Sequence, residues 1–233
     1  MQKIKAVFNW SGGKDSALAL HKILQSGEYE VSALLTMIDK RKRSSFHAIP
    51  LALLERQAES IGIPLQVVET GIPDGLSDYA AVTRQAAARF REEGVSAFIF
   101  GDVPLYDVRV YREQILSPEG ISVVEPLWHL SPEQVMEEYF SSGLRSVIVT
   151  TTASALGEEY VGRPLTRELV ESFPPGVDVC GENGEYHTFC HDGPLFSFPV
   201  PFRLGTPSPG QLSIRLADGR EQAFSYWYAG LEA

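Results

Sequence analysis

Residues 8–20 read FNWSGGKDSALAL. The apolar lead-in has the character of a buried strand, and the run after Ser16 opens a helical period, so Ser-Gly-Gly-Lys-Asp-Ser occupies the turn between them. Gly12 and Gly13 permit positive φ and let backbone N–H groups approach an anion with no Cβ in the way. A helix beginning near Asp15 adds its positive end, Ser11 and Ser16 add hydroxyls, and Lys14 adds a mobile point charge. Together these residues form an anion cradle.

Asp15 narrows the ligand. A carboxylate inside such a cradle is repulsive unless a cation such as Mg²⁺ bridges it to phosphate, which points to a metal-bound nucleotide. A Gly-Gly turn closed by an aspartate N-cap is the plainer account of the same residues. Two other phosphate motifs are excluded. A Walker loop needs Gly six positions before the lysine and Ser or Thr straight after it, where Phe8 and Asp15 stand, and the chain contains no Gly-x-Gly.

Working outward, apolar runs alternate with helix-period stretches. Strand-like segments at 4–10, 30–38, 63–70, 95–103, 121–128 and 144–152 are separated by helix-like segments at 15–27, 48–62, 77–94, 107–116 and 131–143. Strands apolar on both faces, with helices closed by Gly27, Gly62, Gly94 or Gly143, imply right-handed crossovers. The expected fold is α/β, a doubly wound parallel sheet covered on both sides. After about Phe173 turn formers accumulate, and short strands are expected around FSFPVPFRL, QLSIRL and QAFSYWY. The expected division is a nucleotide-binding part over 1–128 and a smaller mixed α/β, substrate-binding part over 129–233.

Composition bounds the partners. The 233 residues are 44% hydrophobic and carry a formal charge of -10, which argues against a general nucleic-acid surface. Cys180 and Cys190 are the two cysteines, and residues 1–10 show no apolar core after a basic start, so a reducing cytoplasm is the expected compartment. No run approaches the roughly 18 apolar residues of a membrane span. Cys180, His187, Cys190 and His191 hold metal-capable atoms, but Cys-x9-Cys is not zinc-knuckle spacing. The basic run 40–43 reads as a solvated loop that can also fold over a triphosphate or touch RNA.

SGGKDS at the end of a first strand resembles the pyrophosphate loop of the N-type ATP pyrophosphatases. Residues 47–65, 100–116, 125–128, 155–165 and above all CGENGEYHTFCHDGPLF at 180–196 resemble the diphthine-ammonia ligase (diphthamide synthetase) family, in order over roughly residues 3 to 200. The form GENGEYHT is similar to the bacterial branch, and the resemblance implies ATP cleavage between the α and β phosphates. A carboxylate acceptor would be adenylated, and ammonium would supply the nitrogen that displaces AMP. A tRNA-modifying pyrophosphatase and a non-catalytic ATP sensor are the rival readings; a homodimer is among the expected assemblies.

The resemblance also implies site residues. Lys14 would offset charge on the phosphates and Asp15 would hold Mg²⁺. Ser11, Gly12, Gly13 and Ser16 would cradle phosphate, and Thr36 and Met37 would line the adenine. Gly101 and Asp102, after the fourth strand, stand on the ligand-binding edge, and His47 either faces the nucleotide or caps the second helix. Asp107, Arg109, Arg112 and Glu113 lie on the same edge, where the arginines grip a substrate carboxylate or phosphate, or pair with acids along a helix. In GENGEYHT, Glu182, Glu185 and His187 would bind ammonium, orient it or take its proton, while Asn183, Gly184 and Thr188 would contact substrate.

Overall fold

The computed structural model describes residues 2–44, 48–70, 76–103, 106–215 and 221–233; at 76–78, 212–215 and 221–223 it describes the backbone alone. Five parallel strands form the first sheet: β1 (Ile4–Asn9), β2 (Tyr29–Ile38), β3 (Leu65–Glu69), β4 (Ala97–Phe100) and β5 (Ser122–Val124). Their order is β3-β2-β1-β4-β5, so the chain reverses its direction of winding between β1 and β4. A ligand crevice opens at such a switch point, beyond the carboxyl ends of the strands.

Strand alternation builds two cores. Ala6, Phe8, Leu34, Ala97 and Ile99 point to one face, where α1 (Lys14–Ser26) and α2 (Leu51–Ile61) cover them. Val7, Ala33, Leu35, Phe98 and Phe100 point to the other, against α3 (Leu76–Glu92) and α4 (Tyr106–Leu116). Gly27, Gly62, Gly94 and Gly143 all take positive φ, as helix-closing residues do when the chain must reverse without a Cβ penalty.

The alternation then breaks. After α5 (Pro132–Ser142), which a Ser131/Gln134 capping box opens, β6 (Arg145–Thr152) does not extend the parallel sheet. It joins a second sheet of order β7-β6-β10-β9 in which its pairings are antiparallel, with β7 (Tyr186–Asp192), β9 (Ser208–Arg215) and β10 (Glu221–Tyr228). The expectation of a further parallel strand at 144–152 is corrected here. A run buried on both faces reveals that a strand is central, not which strand it pairs with. Two more expectations shrink: 121–128 yields only three strand residues before Pro126, and FSFPVPFRL only β8 (Arg203–Leu204), paired with β11 (Leu231–Glu232).

The second sheet has no separate interior. Val147, Ile148, Phe189 and Cys190 belong to the same buried cluster as Ala6, Phe8 and Leu18, with Tyr139 of α5 between them. Between α5 and β7 lie α6 (Arg167–Glu171), capped by Thr166, and a turn-rich stretch that leads into β7. Among the described residues no helix is long and apolar enough to cross a membrane.

Candidate active site

A cavity of about 410 Å³ opens at the β1/β4 switch point, within the usual range for small-molecule sites. One wall is the turn after β1 with the first turn of α1, which supply Ser11, Lys14, Asp15 and Ser16. A second comes from β2 and its exit, with Leu35, Thr36, Met37 and Ser44, and a third from the end of β4 and from α4, with Gly101, Asp102 and Arg112. The fourth comes from the turn that leads into β7, with Cys180 and Glu182, and from β7 itself, with Tyr186, His187 and Thr188.

The turn is built differently from the expectation in one respect. Gly12 has φ +83, a conformation that favours glycine, but Gly13 is extended, with φ -90 and ψ 178. Neither glycine lines the cavity. Gly12 packs under Gln57 and Ile49, and Gly13 against Thr188. The helix starts at Lys14, whose backbone N–H donates to Thr188 Oγ1 at 3.0 Å. Thr188 therefore supplies the cap that Gly13 lacks, from a strand 174 residues further along the chain.

Lys14 is the centre of the site. Its side chain is 3% exposed, and Nζ donates to both carboxylate oxygens of Asp15 at 2.7 and 2.8 Å and to the carbonyl of Cys180 at 2.5 Å. The ring of Tyr186 lies 5.3 Å away, presenting its face to the cation. Burial alone would lower the Lys14 pKa. Burial is the largest single influence, but the adjoining Asp15 carboxylate, Tyr186 and Cys180 together outweigh it and hold the group well above its ordinary value, so the ammonium stays charged.

Asp15 keeps 32% of its side chain exposed, leaving carboxylate surface open beyond the lysine contact. Glu182 is half-buried and, among the described residues, makes no hydrogen bond or ion pair. Its burial, and then the Asp15 charge, push its carboxyl up to about 7. His187 is driven the other way, below its usual range, by burial first and by the Lys14 charge second, so it is neutral at pH 7. Cys180 Sγ lies 3.5 Å from Lys14 Nζ, but burial pushes this thiol far up, and Cys190 up to about 12. Neither is poised as a thiolate nucleophile. One cysteine thus does touch Lys14, which the sequence did not suggest.

Other expected site residues take structural work. Glu185, expected as a catalytic carboxylate, is corrected to a clamp on its own loop. It is buried and accepts from Asp178 N, Asn183 N and Asn183 Nδ2 at 3.3, 2.9 and 3.1 Å. Asn183 is spent on that clamp, and Gly184 gives its carbonyl to the Thr152 hydroxyl. Arg109, expected on substrate, instead bonds Glu113 at 3.0 Å and stacks on Trp128, and with the exposed Asp107 and with Glu113 it is absent from the cavity wall. Arg112 does reach the cavity, but its guanidinium is held by Asp102 and Glu125 and lies over Phe100. Thr36 lines the cavity while its hydroxyl donates to the Trp10 carbonyl at 2.7 Å. His47 lies outside the described residues. Among those residues, no group of three or more His, Cys, Asp or Glu is placed to hold a metal by itself.

Two functional features escaped the sequence. Gln57, fully buried in α2, and the backbone carbonyl of Cys180 both grip the turn, and nothing in local periodicity distinguishes them. A glutamine at a core-facing helical position was the available signal.

With this geometry in place, the comparisons with known proteins are specific. Residues 4–122 match the family model described as the diphthamide synthase N-terminal domain, and residues 131–204 match the diphthamide synthase C-terminal domain. The chain belongs to the diphthamide synthase family. It is 26% identical over 214 residues to a diphthine–ammonia ligase of Bos taurus, covering 80% of this chain and 78% of that one, and 24% identical over 214 residues to one of Homo sapiens with the same coverage. A solved structure of a predicted subunit of tRNA methyltransferase from Methanocaldococcus jannaschii aligns over 63% of this chain and 80% of its own, with 17% identity and a TM-score of 0.41. That likeness carries no functional weight. Family membership and the curated relatives support an ATP-dependent ligase of the ATP pyrophosphatase kind.

Proposed function

We propose that this diphthamide synthase relative cleaves ATP to AMP and pyrophosphate, transfers the adenylyl group to a carboxylate acceptor and replaces it with ammonia to form an amide. In this reading residues 1–128 hold the nucleotide and residues 129–233 present the acceptor. The observation that carries it is the buried, permanently charged Lys14 at the positive end of α1, with the 180–188 segment wrapped around it. A carboxylate is a poor electrophile until its oxygen becomes part of a good leaving group, and such a leaving group needs fixed positive charge where charge develops.

The charges of the cavity suit a magnesium-complexed nucleotide. Asp15, Asp102 and Glu182 face Lys14 and Arg112, so the wall carries more acid than base, and both cations are already paired. A bare polyphosphate is repelled by that set, whereas a hard divalent cation finds the open carboxylate surface of Asp15. Magnesium, when bound there with the nucleotide, would neutralise phosphate charge and so favour departure of pyrophosphate. Lys14 orients the phosphates, Leu35 and the Thr36–Met37 edge enclose the base, and water is kept out by the apolar part of the wall. Glu182 is the carboxylate with a proton affinity near neutrality, and it takes the proton that ammonium must lose before its nitrogen can attack.

That assignment fixes a sign. The basic, deprotonated form of Glu182 accumulates as pH rises through about 7, so turnover at saturating ammonium rises across that range. Glu182→Gln is expected to flatten this limb and to lower turnover by about 10²–10⁴-fold while ATP affinity changes little. A pH profile of AMP release in the two proteins checks it. The function as a whole is tested by incubating the protein with Mg²⁺, ATP and ammonium and fractionating a cell extract for the component that triggers AMP and pyrophosphate release. Amide formation on that component supports the ligase. AMP release that demands tRNA instead refutes it.

A further inference from the structure

Gln57 lies in α2 with no exposed surface, at a position whose neighbours Leu53, Leu54 and Ala58 are core residues. Burying a primary amide there is unfavourable unless its hydrogen bonds are made. They are. Nε2 donates to the carbonyl of Gly12 at 3.0 Å and to the carbonyl of Cys190 at 2.6 Å, and Oε1 accepts from Trp10 Nε1 at 2.9 Å. Two carbonyls on one end and an indole N–H on the other admit a single orientation of the amide. A glutamate would set a carboxylate against two carbonyl oxygens.

The partners are informative. Gly12 is the positive-φ residue of the phosphate-facing turn, and a Cβ on it would come within 2.8 Å of Gln57 Oε1. Its carbonyl is held from two sides, by Gln57 and by Cys190 N at 2.9 Å. Because the peptide unit is planar and trans, fixing the Gly12 carbonyl also fixes the opposite direction of the Gly13 N–H. That N–H reaches only Ser11 Oγ, at 3.3 Å, and Ser11 lines the cavity. A bond so long yields readily to an anionic oxygen, a better acceptor.

We infer that Gln57 is a positioning residue for nucleotide phosphate: by clamping the Gly12 carbonyl it fixes the Gly13 N–H on Ser11, a residue that borders the cavity, and by clamping Cys190 it holds the strand that carries His187 and Thr188 against the same turn. This rests on the nucleotide reading above and adds a group that touches no ligand itself. A purely structural amide would weaken every ligand of the cavity alike; a positioning amide weakens those that carry phosphate.

The test is a calorimetric titration of the full chain and of Gln57→Met, which keeps the volume and removes both donors, with magnesium ATP and separately with adenosine. The expected result is a loss of about tenfold in ATP affinity with adenosine binding unchanged and the far-ultraviolet circular dichroism of the wild type preserved. ATP affinity within about twofold of the wild type, or an equal loss for adenosine, overturns the inference. Should the methionine variant not fold, Gln57→Asn keeps the amide but shortens its reach, and the same selective loss is expected, with the same two outcomes overturning it. A wild type that does not bind ATP removes the nucleotide reading and this inference together, whereas a wild type that binds beside a variant that binds alike removes this inference alone.

Discussion

Replacing Lys14 by alanine lowers AMP and pyrophosphate release by at least about 10²–10³-fold, the scale set by losing one preorganised charged donor from a developing anion. The lysine is the cation of the turn, its ammonium is kept charged by Asp15 together with Tyr186 and Cys180, and nothing else in the turn carries positive charge. Its removal leaves the Asp15 carboxylate facing phosphate with no counter-charge of its own and the Cys180 carbonyl without its donor. The fold survives because Asp15 is accessible enough to be hydrated once unpaired. Lys14→Arg does not restore activity, since a planar guanidinium cannot enter the space between Asp15, the Cys180 carbonyl and the Tyr186 ring that a compact ammonium fills. Quantifying AMP against circular dichroism checks the pair, and unchanged turnover in the alanine variant refutes the role given to Lys14.

Gly101→Ala is expected to damage both stability and nucleotide binding. A Cβ at this position would lie 2.6 Å from Ser16 Cα and 2.9 Å from Ser16 N, and both are backbone atoms of the first turn of α1 that cannot swing aside. The end of β4 and the start of α1 must move apart, which costs about 1–3 kcal/mol as overpacking does and lowers the melting temperature by roughly 2–12 °C in a chain of this size. Because Ser16 and Asp102 flank the contact and both line the cavity, ATP affinity falls with stability. Melting curves with and without magnesium ATP are the measurement. A variant that melts like the wild type and is stabilised as much by ATP contradicts the close approach described here.

Much of this was readable in the chain before any coordinates. Strands β1 to β4 and helices α1 to α5 follow from apolar period and closing glycines, because those signals are local. Lys14, Asp15, Ser16, Thr36, Met37, Asp102, Glu182 and His187, which the motifs single out, all line the same cavity. The losses share a cause. Residues 144–152 advertise a central strand but not its partner, so β6 was assigned to the wrong sheet. Glu185 and Glu182 look equivalent in GENGEYHT, and only the fold turns one into its loop and leaves the other facing the cavity. Arg109 and Arg112 look equivalent on α4, yet only the second reaches the cavity, because four residues past Val108 the helix returns to the same face while Arg109 points aside. Gln57 shows locally only a polar side chain at a core-facing helical position, since the partners that explain it lie 45 and 133 residues away in the chain.

The cap that Thr188 places on Lys14 also sets an order of events during synthesis. The lysine is made first, and the carbonyl and the hydroxyl that seat it follow 166 and 174 residues later in the chain. Until then the apolar cluster around the early helix also lacks Phe189, which follows Thr188 directly. A chain interrupted between Lys14 and Thr188 therefore lacks the seat on which the proposed grip on nucleotide depends, so the site comes together only by long-range closure and never from the early segment alone.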